Sequence, residues 1–288
     1  MQPDYAAALR RCEALAQRDD ESIHARGGTI LLHHGAPTRR AVVLLHGLTA
    51  SPMQCAALAH RVHQCGDTVL VPRLPGHGAR DRLTPQLREV RAHQLVEAAG
   101  EALAIARGLG TSVTVAGFSL GGLLALWLAQ HEAFDHALAI APFLGVACLP
   151  HGTTTALARV LHRLPNVFLW WDPIRRERHM PDHGYPRFPT HAIAESLGIA
   201  TGLLGIARVA PPRTKRITIV TNASETAVNN VAARALERAW TAHGAARIEH
   251  HRITGLPPSH DVIEPLRPGA LARRAYRVVL PLLYATPP

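Results

Sequence analysis

Cysteine is scarce in this chain, with four residues among 288. The four positions, which show no Cys-x-x-Cys spacing, are Cys12, Cys55, Cys65 and Cys148. Few and unclustered cysteines in a chain of this length are typical of proteins from a reducing compartment. We therefore predict free thiols and a cytoplasmic protein, and we exclude a small fold held together by disulfides.

Long apolar runs are also missing. The longest one, around Leu120–Leu128, is far shorter than the ~20 residues that a membrane-spanning helix requires. The first residues, MQPDYAAALRRCEALAQRDD, lack the uninterrupted apolar core of a signal peptide. These two absences predict a soluble protein without stable membrane association.

Lysine is almost absent. Lys215 is the single lysine, so arginine carries nearly all of the positive charge behind the formal net charge of +10. The arginines are scattered and form neither a basic helix nor a repeat with aromatic residues, which argues against nucleic-acid binding.

The 19 histidines are scattered too. His60 and His63 could share a helical face, but no nearby cysteine or carboxylate completes a metal site. We expect neither a metal nor a cofactor.

The chain does have many hydrophobic residues, 47% of the total, which is enough for one sizeable core. Short continuous apolar runs alternate with stretches of helical periodicity. The predicted strands are residues 27–35, 41–47, 68–71, 111–117, 136–142, 216–222 and 247–253. The predicted helices are residues 4–18, 51–66, 85–107, 119–132, 227–243 and 268–284. This alternation predicts an α/β fold in which helices cover both faces of a parallel sheet.

Residues 145–212 interrupt this alternation. They contain prolines, helical pieces and two aromatic groups, FLWWDP (168–173) and HGYPRFP (183–189). The segment is too short and too rich in loops to bury a core of its own. We predict a single domain over residues 1–288, in which residues 145–212 form an insertion over one end of the sheet.

Ser119 lies in the sequence GFSLGG (117–122), directly after a predicted strand and before a predicted helix. The turn between them must be tight, and Gly117 and Gly121 remove side chains that would collide across it. The hydroxyl group is then exposed at a helix N-terminus, where the helix dipole favours negative charge. This spacing predicts a nucleophile elbow, at the sheet edge where ligands gather. The alternative is a glycine-rich helix start with an N-cap serine.

A serine nucleophile needs a base, and the base needs an acidic partner to orient it. With this type of elbow the order along the chain is serine, acid, histidine. His260 follows the last predicted strand, in GLPPSHDVIEP (255–265), so we expect it at the same sheet edge as Ser119. The alternative is an unrelated loop histidine.

The acid should follow the strand 216–222. Glu225 is the only carboxylate in TNASETAVNN (221–230), and we assign it as the third member, with an exposed loop glutamate as the alternative. Three aspartates are weaker candidates. One adjoins His260, where neighbouring side chains rarely face each other, and two lie in the inserted segment: Asp261, Asp172 and Asp182.

Acyl transfer also requires two preorganised backbone N–H groups for the oxyanion of the tetrahedral intermediate. We expect one from Leu120, directly after the nucleophile. We expect the other from Leu48, in the turn HGLT (46–49), because Gly47 lets the backbone turn inward. His46 is expected to order this loop rather than to transfer a proton.

Together these residues resemble the α/β-hydrolase superfamily, in particular bacterial carboxylesterases and monoacylglycerol lipases. The matching landmarks are LLHGLTASP (44–52), VPRLPGHG (71–78), VAGFSLGG (115–122), ETAVN (225–229) and SHDVIEP (259–265). The resemblance implies an eight-stranded, mostly parallel sheet with a small cap inserted after the sixth strand. It also implies that Ser119 and His260 are nucleophile and base, with the N–H groups of Leu48 and Leu120 as oxyanion hole. Glu225 departs from the pattern, which usually has aspartate.

The inserted segment carries aromatic residues that could line an apolar pocket or form a small core of the cap: Phe168, Trp170, Trp171, Tyr185 and Phe188. We list the last four as candidate substrate-binding residues.

The expected function is hydrolysis of small to medium apolar esters, with a small-molecule ester as partner. A thioesterase, an acyltransferase or a non-catalytic binding protein of the same fold are the alternatives. The sequence leaves the oligomeric state open.

Overall fold

The computed structural model describes residues 4–244, 246–266 and 272–284. The helices are α1 (Tyr5–Ala16), α2 (Met53–Gln64), α3 (Ala92–Leu109), α4 (Leu120–His131), α5 (Thr154–Arg163), α6 (Thr190–Ala207), α7 (Asn230–Thr241) and α8 (Ala272–Tyr284). The strands are β1 (Ile30–Leu32), β2 (Thr38–Leu45), β3 (Thr68–Val71), β4 (Gly110–Phe118), β5 (His136–Ile140), β6 (Phe168–Trp170), β7 (Arg187–Pro189), β8 (Arg216–Asn222) and β9 (Arg247–Ile253). The predicted start of the last helix at Pro268 lies outside the described residues.

The described residues form a seven-stranded main sheet in the order β1-β3-β2-β4-β5-β8-β9. All neighbours pair in parallel except β1, which runs antiparallel to β3. In the central register Val43 lies between Leu70 and Val115. The central strands are buried on both faces, which is why they read as continuous apolar runs in the sequence.

Two details of the expected sheet are wrong. The described part of the chain has seven strands in this sheet rather than eight, and the insertion follows the fifth strand rather than the sixth. The reason lies before β1: residues 5–16 form α1, whose Ala8, Cys12 and Leu15 join the same buried cluster as residues of α3. Between Tyr5 and β1 the chain thus forms a helix that packs with α3, and no further strand of the main sheet.

Two buried clusters lie on opposite faces of the sheet. Along β2, Val43 and Leu45 belong to the cluster that α1, α3, α4 and α7 cover, whereas Val42 and Leu44 belong to the cluster that α2 and α8 cover. Successive side chains of a strand point to opposite faces, so each sheet face has its own core. All four cysteines are free, as predicted, with Cys12 and Cys55 buried in these cores.

The inserted segment, residues 145–212, contains α5, the antiparallel pair β6–β7 and α6. Helix α6 is long and apolar enough, by length and composition alone, to cross a membrane. However, 56% of this helix is buried inside the protein, and Leu203 and Ala207 belong to the main core. The end of α6 therefore anchors the inserted segment to the sheet, as the core helix of a globular protein would.

Candidate active site

Ser119 lies at the sharp turn between β4 and α4, with φ 55° and ψ −114°. A positive φ is uncommon for a residue other than glycine and costs about 1–3 kcal/mol. A Cβ at Gly117 would lie 2.2 Å from the backbone of Gly121, and a Cβ at Gly121 would lie 2.0 Å from the carbonyl oxygen of Leu45. Both glycines are therefore required sterically, and the Ser119 N–H is fixed by donating to the carbonyl of Ile140.

The structure brings Ser119, His260 and Glu225 together. His260 Nε2 lies 2.8 Å from Ser119 Oγ, and His260 Nδ1 lies 3.0 Å from Glu225 Oε2. An ionised carboxylate only accepts hydrogen bonds, so it holds the proton of the neutral imidazole on Nδ1. Nε2 is then free to accept the proton of the serine hydroxyl, which is the arrangement that a serine nucleophile needs.

Glu225 is a buried carboxylate, not an exposed loop residue. Its side chain is fully shielded from solvent, and Oε1 accepts hydrogen bonds from the N–H groups of Thr226, Ala227 and Val228. Burial acts to raise the pKa of Glu225, but the hydrogen bond and charge of His260, together with these N–H groups, hold that pKa below its usual value. The carboxylate therefore stays ionised at neutral pH.

The three weaker acid candidates have other partners. Asp261 Oδ2 accepts a hydrogen bond from Gln54, Asp172 accepts the N–H groups of Ile174 and Arg175, and Asp182 pairs with Arg26. The structure therefore places Glu225, rather than any of these aspartates, against His260.

His46 orders the loop after β2. It is completely buried, and burial, aided by the neighbouring His77, holds the pKa of His46 well below its usual value. The neutral ring accepts the Leu74 N–H at Nε2, 3.2 Å away, and donates from Nδ1 to the carbonyl of Gly47, 3.0 Å away. These bonds agree with the prediction that His46 shapes the loop.

Gln54 joins that loop to the segment that carries His260. The Gly47 N–H donates to Gln54 Oε1 at 2.8 Å, and Gln54 Nε2 donates to Asp261 Oδ2 at 2.8 Å. The Gly47 N–H is therefore occupied, which leaves the next residue, Leu48, to offer a donor from this loop. Sequence reasoning missed Gln54, although a polar residue on the buried face of α2 was the available signal.

Leu48 and Leu120 differ in their surroundings. Leu48 lines a cavity beside Ser119, whereas Leu120 is fully buried in the core. The Leu120 N–H belongs to the first turn of α4, where N–H groups have no intrahelical acceptor. Leu48 thus lies beside the cavity and Leu120 directly follows Ser119, and their N–H groups stay the predicted oxyanion donors.

The cavity beside Ser119 and His260 has a volume of about 530 Å³. The inserted segment supplies a large part of its apolar wall: Leu161, Leu169, Trp171, Met180, Phe188 and Ile193. The rings of Trp171 and Phe188 pack against each other at a tilt of 39°, with centroids 4.1 Å apart. Sequence reasoning missed the four aliphatic members, because nothing in their spacing distinguishes them from core residues.

Trp170 and Tyr185, two of the predicted substrate-binding residues, do not line this cavity. Side chains alternate along β6, so Leu169 faces the cavity whereas the Trp170 ring packs under the Arg176 guanidinium, 5.7 Å away. Tyr185 is 2% exposed. Its hydroxyl accepts the Ala79 N–H and donates to the Gly76 carbonyl, which ties the inserted segment to a core loop.

Replacing Tyr185 by phenylalanine should therefore lower the free energy of unfolding by about 1–3 kcal/mol, because the buried Ala79 N–H loses its acceptor. Urea denaturation measures this change. Tyr5→Phe is the matched control, since the Tyr5 hydroxyl bonds at the surface. A rise in KM without a loss of stability would instead make Tyr185 a substrate contact.

The sequence profile of the Alpha/beta hydrolase family matches residues 42–284. The chain belongs to this family. Among curated proteins, the thermostable monoacylglycerol lipase of Bacillus sp. (strain H-257) is 33% identical over 91 residues. That alignment covers 32% of this alpha/beta hydrolase and only 35% of the lipase.

Solved structures share the fold of this hydrolase. The monoacylglycerol lipase of Paleococcus ferrophilus is 18% identical with a TM-score of 0.66, and the match covers 88% of this chain and 97% of that one. A soluble variant of monoglyceride lipase from Saccharomyces cerevisiae, in complex with a substrate analogue, is 13% identical with a TM-score of 0.68, covering 88% and 89%. At these identities the likeness concerns the fold alone.

Proposed function

We propose that this alpha/beta hydrolase is a serine carboxylic-ester hydrolase that acts on small to medium apolar esters. The observation that carries the proposal is the chain of hydrogen bonds from Ser119 through His260 to Glu225, which begins at an apolar cavity. A non-catalytic member of the fold would have no need to keep a buried, ionised Glu225 against His260.

In the proposed reaction Ser119 Oγ attacks the ester carbonyl carbon while His260 Nε2 takes its proton. The N–H groups of Leu48 and Leu120 stabilise the oxyanion. The C–O bond then breaks, and His260 returns the proton to the leaving alcohol. A water molecule, deprotonated by His260, hydrolyses the acyl-enzyme and restores Ser119. Glu225 keeps the imidazole in the useful tautomer and stabilises its charged form.

The substrate class follows from the cavity and the relatives. An apolar cavity of about 530 Å³ fits a single acyl chain of short to medium length, and Trp171 and Phe188 offer flat apolar surface to it. The 91-residue match to a monoacylglycerol lipase supports an ester with one acyl chain. In this proposal residues 145–212 act as the cap of a single domain, since they form much of the cavity wall.

A series of p-nitrophenyl esters from acetate to hexadecanoate tests the proposal. We expect turnover that is highest for short and medium chains and declines for the longest. Labelling by a fluorophosphonate without turnover of any ester would favour another acyl acceptor or a thioester substrate. The absence of both labelling and turnover would contradict the proposal.

Incubation with EDTA should leave ester hydrolysis unchanged, because the proposed mechanism draws only on protein groups. Across residues 4–244, 246–266 and 272–284, no group of three or more His, Cys, Asp or Glu side chains is arranged to hold a metal ion. Hydrolysis rates before and after dialysis against the chelator measure the effect. A loss of activity that zinc restores would contradict this expectation.

A further inference from the structure

Thr49 links the loop after β2 to the inserted segment through two hydrogen bonds. Its hydroxyl oxygen accepts the indole N–H of Trp171 at 2.8 Å, and its carbonyl oxygen accepts the N–H of Tyr185 at 2.7 Å. Thr49 is 1% exposed and Trp171 is 37% exposed, so the acceptor end of the indole bond is buried while the Trp171 ring reaches the surface of the cavity wall. Both donors come from the part of the chain that forms the cavity wall.

The backbone of Thr49 is strained. Its φ is 66°, a left-handed value that is unfavourable for a β-branched residue. Such a conformation costs about 1–3 kcal/mol and persists only where the surroundings hold it. Here the bonds from Trp171 and Tyr185 hold Thr49, together with the turn bond from the Ala50 N–H to the Gly47 carbonyl. Without them, rotation about the Thr49 N–Cα bond would relieve the strain and displace the preceding residue, Leu48.

The partner of the Thr49 hydroxyl is itself part of the cavity. The Trp171 ring lines the cavity and packs at a tilt against Phe188, so fixing the indole N–H also fixes this part of the apolar wall. One hydrogen bond therefore joins the residue that follows Leu48 to the apolar wall of the cavity.

We infer that Thr49 is a positioning residue whose hydroxyl, bonded to Trp171, holds the Leu48 N–H in the orientation needed to stabilise the oxyanion. The inference rests on the proposed ester hydrolysis by Ser119, and it adds to it a coupling between the cavity wall and the oxyanion site. The coupling runs through Trp171, so removing the hydroxyl or the indole N–H should have the same consequence.

The test compares Thr49→Val, Thr49→Ser, Trp171→Phe and the double variant Thr49→Val/Trp171→Phe. Valine has the shape and β-branch of threonine without the hydroxyl, whereas serine keeps the hydroxyl. Loss of a hydrogen bond of typical net strength should lower kcat about threefold to tenfold in Thr49→Val, with a smaller change in KM. Thr49→Ser should stay near wild type, and Thr49→Val should have almost no further effect on kcat in the Trp171→Phe background.

Thr241→Val is the control for the substitution itself, because the Thr241 hydroxyl donates to the backbone carbonyl of Glu237 at the exposed end of α7. Three results would overturn the inference: wild-type kcat in Thr49→Val, equal damage in Thr49→Ser, or an undiminished effect of Thr49→Val when Trp171 is already phenylalanine. A purely structural role would lower the unfolding temperature and leave kcat unchanged.

A readout without turnover separates this inference from the proposed function. The indole N–H resonance of Trp171, assigned by its loss in Trp171→Phe, should exchange slowly with solvent in the wild type and in Thr49→Ser, and at least tenfold faster in Thr49→Val. Failure of the wild type to hydrolyse esters would contradict the proposed function. Equal exchange rates in all Thr49 variants would contradict the hydrogen bond on which the inference rests.

Discussion

Replacing Ser119 by alanine should lower kcat for ester hydrolysis by on the order of 10⁶, the usual consequence of removing the nucleophile from such a triad. The fold should remain intact, because alanine fits the same tight turn and the backbone bonds of Ser119 to Ile140 and Phe143 need no side chain. Initial rates with p-nitrophenyl butyrate measure the loss, and thermal unfolding checks the fold.

The control for this substitution is Ser112→Ala, since the Ser112 hydroxyl donates to the carbonyl of Arg39 near the protein surface. We expect that variant to hydrolyse esters at the wild-type rate. A folded Ser119→Ala protein that retains more than a few per cent of wild-type activity would mean that Ser119 is not the nucleophile.

The second large effect is expected at Glu225. Glutamine at this position keeps the shape of the side chain, and its carbonyl oxygen can still accept the N–H groups of Thr226 and Ala227. Its amide group must then face His260 Nδ1 and donate to it, which moves the imidazole proton to Nε2. That tautomer cannot accept the Ser119 proton, so Glu225→Gln should lower kcat roughly 10⁴-fold, as amide replacement does in a known triad.

Glu225→Asp should retain much more activity than Glu225→Gln, because it keeps the charge although its carboxylate is shorter by one methylene. Glu89→Gln is the control for the amide replacement, since Glu89 lies on the surface with its side chain 82% exposed. Two results together would mean that the acid is assigned to the wrong residue. Glu225→Gln would have nearly the kcat of the wild type, and Asp172→Asn, Asp182→Asn or Asp261→Asn would lose most of it.

Most of the main sheet could be predicted from the sequence. The strands β3, β8 and β9 have the predicted bounds, and the ends of β2 and β4 differ by three residues or fewer. The strands β3 and β8 are buried almost throughout, so their apolar runs are unambiguous, whereas β9 is an edge strand whose side chains are mostly half-buried or exposed. The expected number of eight strands follows from the family resemblance and not from particular residues, and it is wrong, because the described residues form seven strands in the main sheet.

The contact partners in the candidate site could be predicted because each one follows a different strand of the same sheet. Parallel strands present their carboxyl ends at one edge, so Ser119 after β4, Glu225 after β8 and His260 after β9 had to lie near one another. Glu225 could be chosen because it was the only carboxylate in its loop. The distances of 2.8 Å from His260 to Ser119 and 3.0 Å from His260 to Glu225 are the detail that only the structure supplies.

The substrate wall could not be predicted in the same way. Residues 168–189 are mostly irregular, so no periodicity indicated that Trp171 and Phe188 line the cavity while Trp170 and Tyr185 do not. The contacts of Thr49 could not be predicted from the sequence either. Thr49 has a left-handed backbone, and its hydroxyl bonds to a residue 122 positions away in the sequence. Neither feature can be predicted from composition or from the spacing of residues.

Peptide mass spectrometry after incubation with a fluorophosphonate tests the central claim most directly, because this probe bonds covalently to an activated serine. The account predicts one phosphonyl group per chain, located on Ser119, absent from Ser119→Ala and formed much more slowly in His260→Ala. A phosphonyl group on another residue, or equal labelling of wild type and Ser119→Ala, would contradict it.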